Sequence, residues 1–180
     1  VATLNTLDDN TSGSINASTV MTITGAAAAA NTAYASSGIT GLANEAITLN
    51  DTSLAVAALN TLDDNTSGAI NAGTVITITG GAAAANTAYA SSGITGLANE
   101  AITLDDTSLA VATLNTLDGY TSGTINATTL NTLSGAAAAA NIAYSSSEIS
   151  NLGNEAVTLS DNSVSAADLN TLDDNTSGAI

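Results

Sequence analysis

Any chemistry in this chain falls to its carboxylates. The 180 residues hold sixteen Asp and Glu, and no Lys, Arg, His or Cys. Without those residues the usual nucleophile–base pairs cannot be assembled, since Ser and Thr are plentiful but have no base beside them. A carboxylate pair of the glycosidase kind is the one catalytic arrangement left. The conspicuous acids are Asp8-Asp9, Asp63-Asp64 and Asp173-Asp174, each followed by Asn, with Asp118-Gly119-Tyr120 in the same place in another copy. An active site normally occurs once, whereas these acids recur, and the chain reads as non-enzymatic. A hard cation is the sharper reading. Asp8, Asp9, Asp63, Asp64, Asp118, Asp173 and Asp174 are candidate ligands of a Ca2+ ladder, with amide oxygens beside them. Their spacing is neither that of an EF-hand nor that of the Gly-rich nonapeptide repeat. A solvated acidic turn is the plainer alternative.

The net charge of −16 bounds the partners. Nucleic-acid affinity rests on basic groups that neutralise phosphate, and there are none. Anionic membrane surfaces are disfavoured for the same reason. No 18-residue apolar run is present, so no membrane insertion is expected. Disulfides and thiol chemistry are excluded by composition.

These acids are positioned by a repeat. Leu-Asn-Thr-Leu-Asp begins at Leu4, Leu59, Leu114 and Leu169, a constant 55-residue period. Residues 4–58 and 59–113 differ at six positions, and 114–168 has drifted further. A fixed period of this kind signals a solenoid. The expected organisation is a single array over 1–180: a partial repeat 1–3, repeats 4–58, 59–113 and 114–168, and a partial repeat 169–180. Within each unit two related halves, such as Ser53–Gly80 and Gly81–Thr107, suggest a 28-residue coil alternating with a 27-residue one.

Each coil is expected to carry one short helix and one strand. Asp51-Thr52-Ser53 reads as an N-cap for a helix whose face is Leu54, Ala58, Leu59 and Leu62. Ala26–Ala30 is the strongest helix former in series, continued by Ala33 and Tyr34, with Gly38 able to close it. Ala46-Ile47-Thr48-Leu49 and Met21-Thr22-Ile23-Thr24 alternate as strands, with Met21 and Ile23 inward and Thr22 outward. The fold class is therefore α/β, a right-handed solenoid with a parallel sheet. An all-β solenoid of 18-residue coils is the alternative. Ala-rich runs such as Ala136–Ala140 are poor strand sequences and count against it.

Ile47-Thr48-Leu49-Asn50-Asp51-Thr52-Ser53-Leu54 resembles the leucine-rich-repeat core, with Thr52 where that family places Asn. The full unit, with Leu-Asn-Thr-Leu-Asp-Asp-Asn-Thr-Ser-Gly and Ala-Tyr-Ala-Ser-Ser-Gly-Ile-Thr-Gly-Leu, resembles repeats in very large surface or secreted proteins of marine cyanobacteria. That resemblance implies an extracellular or cell-surface location. The expected function is a non-catalytic segment of a filament, surface layer or adhesin stalk whose partner is itself. The alternative is a binding module for calcium, carbohydrate or ice. For ice the ligands would be outward Thr22, Thr24, Thr48, Thr77, Thr79 and Thr103. Asn16, Asn71 and Asn126 read as structural turn amides.

Overall fold

The computed structural model describes residues 1–180. The first repeat and its neighbours hold α1 (Ala2–Asp9), β1 (Ile15–Asn16), β2 (Thr22–Gly25), α2 (Ala27–Ala35), β3 (Ile39–Thr40), β4 (Ala46–Leu49) and β5 (Ser53–Ala55). The second holds α3 (Val56–Asn65), β6 (Ile70–Asn71), β7 (Thr77–Gly80), α4 (Ala82–Ala90), β8 (Ile94–Thr95), β9 (Ala101–Leu104) and β10 (Ser108–Ala110). The third holds α5 (Val111–Asp118), β11 (Ile125–Asn126), β12 (Thr132–Gly135), α6 (Ala137–Ser145), β13 (Ile149–Ser150), β14 (Ala156–Leu159) and then α7 (Ala166–Asn175). The fold is an α/β solenoid in which every strand pairing is parallel. Its helices rule out the all-β alternative.

The chain forms two compact units. In the first, Val1–Thr77 with Thr87–Leu97, one sheet runs β2-β4-β6-β8, and Ile23, Ile47, Ile70 and Ile94 stack in register. In the second, Ile78–Asn86 with Ala98–Ile180, Ile102, Ile125 and Ile149 stack through β9-β11-β13, and Leu109, Leu133 and Val157 through β10-β12-β14. These isoleucines and leucines point inward beside the fully buried pairs Leu59/Leu62 and Leu114/Leu117. Each such side chain contributes about 1.5–3 kcal/mol by leaving water. The Ala-rich helices bury every third residue: Ala27, Ala30 and Ala33 in α2, and Ala137, Ala140 and Ala143 in α6. Alanine costs no side-chain entropy in a helix and allows close packing of the helical layer.

The coil differs from its sequence reading in three respects. The first is strand number: each coil carries two or three short strands rather than one, and β3, β4 and β5 all lie between α2 and α3. Some, such as Ile15-Asn16, are too short for any period to show. The second is the step. Strand partners run Ile23, Ile47, Ile70 and Ile94, a shorter interval than either coil expected from the sequence. Helix starts in the second unit run Val111, Ala137 and Ala166, a short step and then a long one that together restore the 55-residue period. A sheet therefore takes each successive strand from an earlier part of the coil.

The third difference concerns local boundaries. Leu54 belongs to β5 and is buried there, and α3 begins at Val56. Met21 precedes β2 and is 80 % exposed, whereas Ile23 is buried and Thr22 exposed as expected. Alternation places side chains only within a strand, and Met21 lies just outside β2. Helix α2 ends at Ala35, ahead of Gly38.

Candidate functional site

Of the seven candidate cation ligands, Asp8, Asp63 and Asp118 are spent on the chain itself. Ser36 Oγ donates to Asp8 Oδ2 at 2.6 Å, Ser91 Oγ to Asp63 Oδ2 at 2.7 Å and Ser146 Oγ to Asp118 Oδ1 at 2.8 Å. Each serine lies 28 residues beyond its acid, so the first Asp of each copy ties the end of one helix to the turn one coil on. Gly38 and Gly93 close those turns, donating N–H to Ser36 and Ser91 Oγ at 3.0 Å. A Cβ at either glycine would collide with the aspartate. Asp9, Asp64, Asp173 and Asp174 are exposed. The seven acids are not brought together, and nowhere do three acidic side chains form a group able to hold a metal.

A second set of acids caps helices. Asp51 Oδ2 accepts from the backbone N–H of Ala27 at 2.8 Å, Asp106 from Ala82 at 2.7 Å and Asp161 from Ala137 at 2.7 Å. Asp51 thus caps α2, whose first residue lies 24 residues behind it, rather than the helix that follows. Neither Ala26 nor Ala55 caps with its own side chain. The carboxylate supplies an acceptor and a charge matched to the helix dipole, together about 1 kcal/mol per cap.

The third set was not singled out from the sequence. Glu45, Glu100 and Glu155 are fully buried, and the chain has no basic side chain to pair with them. Donors replace it. Glu45 accepts from the Ala43 N–H at 3.0 and 3.2 Å and from Tyr34 Oη at 2.7 Å. Glu155 Oε2 accepts from the Gly153 N–H at 2.8 Å, the Asn154 N–H at 3.2 Å and Tyr144 Oη at 3.2 Å, leaving Oε1 unpartnered. Burial, reinforced by the adjoining carboxylate, pushes the Tyr34 and Tyr144 hydroxyls up to about 12. The glutamate backbone is fixed as well. Thr66 Oγ1 donates to the Glu45 carbonyl at 2.9 Å, Thr121 to that of Glu100 at 3.1 Å and Thr176 to that of Glu155 at 2.8 Å. Gly68, Gly123 and Gly178 sit against the same carbonyls, where a Cβ would not fit. The signal that could have found this cluster is the constant Tyr/Glu/Thr/Gly spacing at 34/45/66/68, 89/100/121/123 and 144/155/176/178.

Asparagine amides join the helices. Asn5 Nδ2 donates to the Ala29 carbonyl at 2.9 Å and Asn31 Nδ2 to that of Ala58 at 2.8 Å. In the second unit Asn86 reaches Thr113 at 3.0 Å, Asn115 reaches Ala139 at 2.9 Å and Asn141 reaches Asp168 at 3.0 Å. Asn65 and Asn175 add a side-chain rung, donating to Asn31 and Asn141 Oδ1 at 3.2 and 3.3 Å. The third copy has Tyr120 at that position. Its helix α5 ends at Asp118, and Asn86 Oδ1 is buried without a partner. The turn amides behave as expected, Asn16 and Asn71 Oδ1 each accepting a backbone N–H two residues on at 3.0 Å.

The outward face of the first unit's sheet carries a row in register: Thr24, Thr48, Asn71 and Thr95, all exposed. Asn71 is occupied by the Gly73 N–H, and Thr95 Oγ1 donates to the Ile70 carbonyl at 3.0 Å. No protein-family model, curated protein or solved structure matches the chain. The site's own geometry therefore carries the functional argument.

Proposed function

We propose that this chain is a non-catalytic structural repeat segment, built to supply length by adding coils to an extracellular or surface-exposed assembly of its own kind. One observation carries the reading. Six of the sixteen carboxylates, together with the helix amides, recur with the repeat and are bonded to a neighbouring coil of the same chain. Asp8, Asp63 and Asp118 each hold a turn serine, Asp51, Asp106 and Asp161 cap helices, and the amides bridge helix to helix. Solenoid stability is the sum of such coil interiors and nearest-neighbour contacts. Electron microscopy of the native material, with antibody against this repeat, is expected to decorate filaments or a surface lattice. Label confined to dispersed single particles overturns the proposal.

The runner-up is a binding face, favoured by the register of Thr24 and Thr48 on adjacent parallel strands, about 4.8 Å apart. Measurable thermal hysteresis in a freezing assay, abolished by Thr48→Tyr, would put this reading ahead. Calcium is tested by melting curves with and without chelator. An unchanged midpoint removes the cation ladder.

A further inference from the structure

Of the three buried glutamates, Glu155 alone has an oxygen without a hydrogen-bond partner. In the other two copies both oxygens share one N–H. Ala43 donates to Glu45 Oε1 and Oε2 at 3.2 and 3.0 Å, and Ala98 to those of Glu100 at 3.2 and 2.9 Å. The third copy reads Asn151-Leu152-Gly153 where the others read Gly-Leu-Ala. There the Gly153 and Asn154 N–H groups and the Tyr144 hydroxyl all converge on Oε2, and Oε1 is left over. The groups bonded to Glu45 lie between Tyr34 and Thr66, and each has its counterpart between Tyr144 and Thr176. The difference therefore originates in the 151–153 loop.

That loop lies against the end of α7. Ser177 donates its N–H to the Gly153 carbonyl at 2.8 Å. A Cβ built on Gly153 would meet only the Asn175 carbonyl oxygen, 4.0 Å away, so the loop is open on that side. Asn175 is the last residue of α7, and its carbonyl accepts no N–H. A helix C-terminal carbonyl carries the negative end of the dipole. A buried carboxylate oxygen and a carbonyl oxygen thus border one opening, and neither has a donor.

We propose that Glu155 Oε1 and the Asn175 carbonyl bind a monovalent metal cation, sodium, which enters past Gly153. Buried polar atoms without partners mark sites for water or an ion, and here the oxygen belongs to a carboxylate that no basic side chain can neutralise. All-oxygen donors select a hard cation. A single charge matches the single carboxylate. Calcium draws on several acids, and no three acidic side chains gather anywhere in the chain. Copies one and two lack the site because Ala43 and Ala98 serve both glutamate oxygens.

Urea denaturation of the full chain, followed by circular dichroism, tests it in a sodium chloride series with choline chloride holding the ionic strength constant. One ion bound by the folded chain lowers the unfolding constant about tenfold for each tenfold rise in sodium above the dissociation constant. Asn151→Gly/Gly153→Ala gives the third loop the sequence that folds in the other two copies, and it should lose that dependence. Glu155→Gln should lose it too, by removing the charge. The sodium-23 resonance should be broader with the parent chain than with either variant at equal protein concentration. Equal sodium dependence in parent and variants overturns the proposal, as does a parent that responds alike to sodium and choline. Either result leaves Oε1 to a bound water only.

Discussion

Adding a single methyl group at Gly68 probes the coil-to-coil contact directly. Gly68 lies outside the left-handed region, so backbone strain plays no part. Its substitution to alanine puts a Cβ inside the van der Waals surface of the Glu45 backbone carbonyl, and 2.7 Å from the Asn44 carbonyl oxygen. Backbone cannot rotate away as a side chain can. The contact must open, and four hydrogen bonds depend on it. They run from Ser67 N to Ala43 O (2.9 Å), Thr66 Oγ1 to Glu45 O (2.9 Å), Gly68 N to Thr66 Oγ1 (3.0 Å) and Ile47 N to Ala69 O (2.8 Å). At about 1 kcal/mol net each, losing two or three of them costs roughly 2–3 kcal/mol. The lower chain entropy of unfolded alanine returns about 0.4–1 kcal/mol. The net expectation is a destabilisation of about 2 kcal/mol. The repeat supplies its own control. Gly13 occupies the same repeat position, and its Cβ would meet only Thr11 Oγ1 at 3.4 Å. Gly13→Ala should be neutral or slightly stabilising. Urea denaturation followed by circular dichroism gives both values, and hydrogen exchange at Ile47 localises the loss. Equal effects at the two positions would refute the argument. So would a change at Gly68 of less than about 0.5 kcal/mol, the range of an ordinary surface substitution.

Three further outcomes follow from the same contacts. Tyr120→Asn should give Asn86 Oδ1 its missing donor and raise stability by about 1 kcal/mol, read as a higher melting temperature. Asp106→Ala should cost about 1 kcal/mol and fray α4 at Ala82, visible as faster amide exchange there. Tyr34 and Tyr144 are raised to about 12 from an ordinary 10. Their folded pKa values exceed the unfolded ones, so folding disfavours the ionised hydroxyl. Their contribution is unaffected below about pH 10 and is lost as pH rises towards 12. Tyr34→Phe/Tyr144→Phe should flatten that alkaline fall in a denaturation series, and an unaltered slope would count against it.

The repeat, the Ala-rich helices and the Thr-bearing strands were legible because each is a local pattern. The uses of the acids were not. Asp51 has the residue type and place of a cap for the following helix, and nothing nearby shows that its partner is Ala27, 24 residues back. The same holds for Asp8 and Ser36, 28 residues apart. Such pairings depend on the coil length, and the coil has more than one: strand partners follow the short interval from Ile23 to Ile47 to Ile70, while helix starts follow the uneven one from Val111 to Ala137 to Ala166. Glu45 was hidden for another reason. A lone acid beside Asn44 reads as surface, yet the Tyr34 hydroxyl and the Ala43 N–H let it be buried without a cation.

That manner of holding acids has a bearing on ionic strength. A protein ordinarily gives up some stability in strong electrolyte because its ion pairs are screened. Here no side chain is basic, so there is no side-chain ion pair to screen. Short hydrogen bonds from N–H and O–H groups are within contact distance, where dissolved ions intrude least. What salt can reach is the mutual repulsion of the exposed carboxylates in a chain of net charge −16, and damping that favours the folded chain. A structure stitched by carboxylates to neutral donors is therefore one that brine tightens rather than loosens.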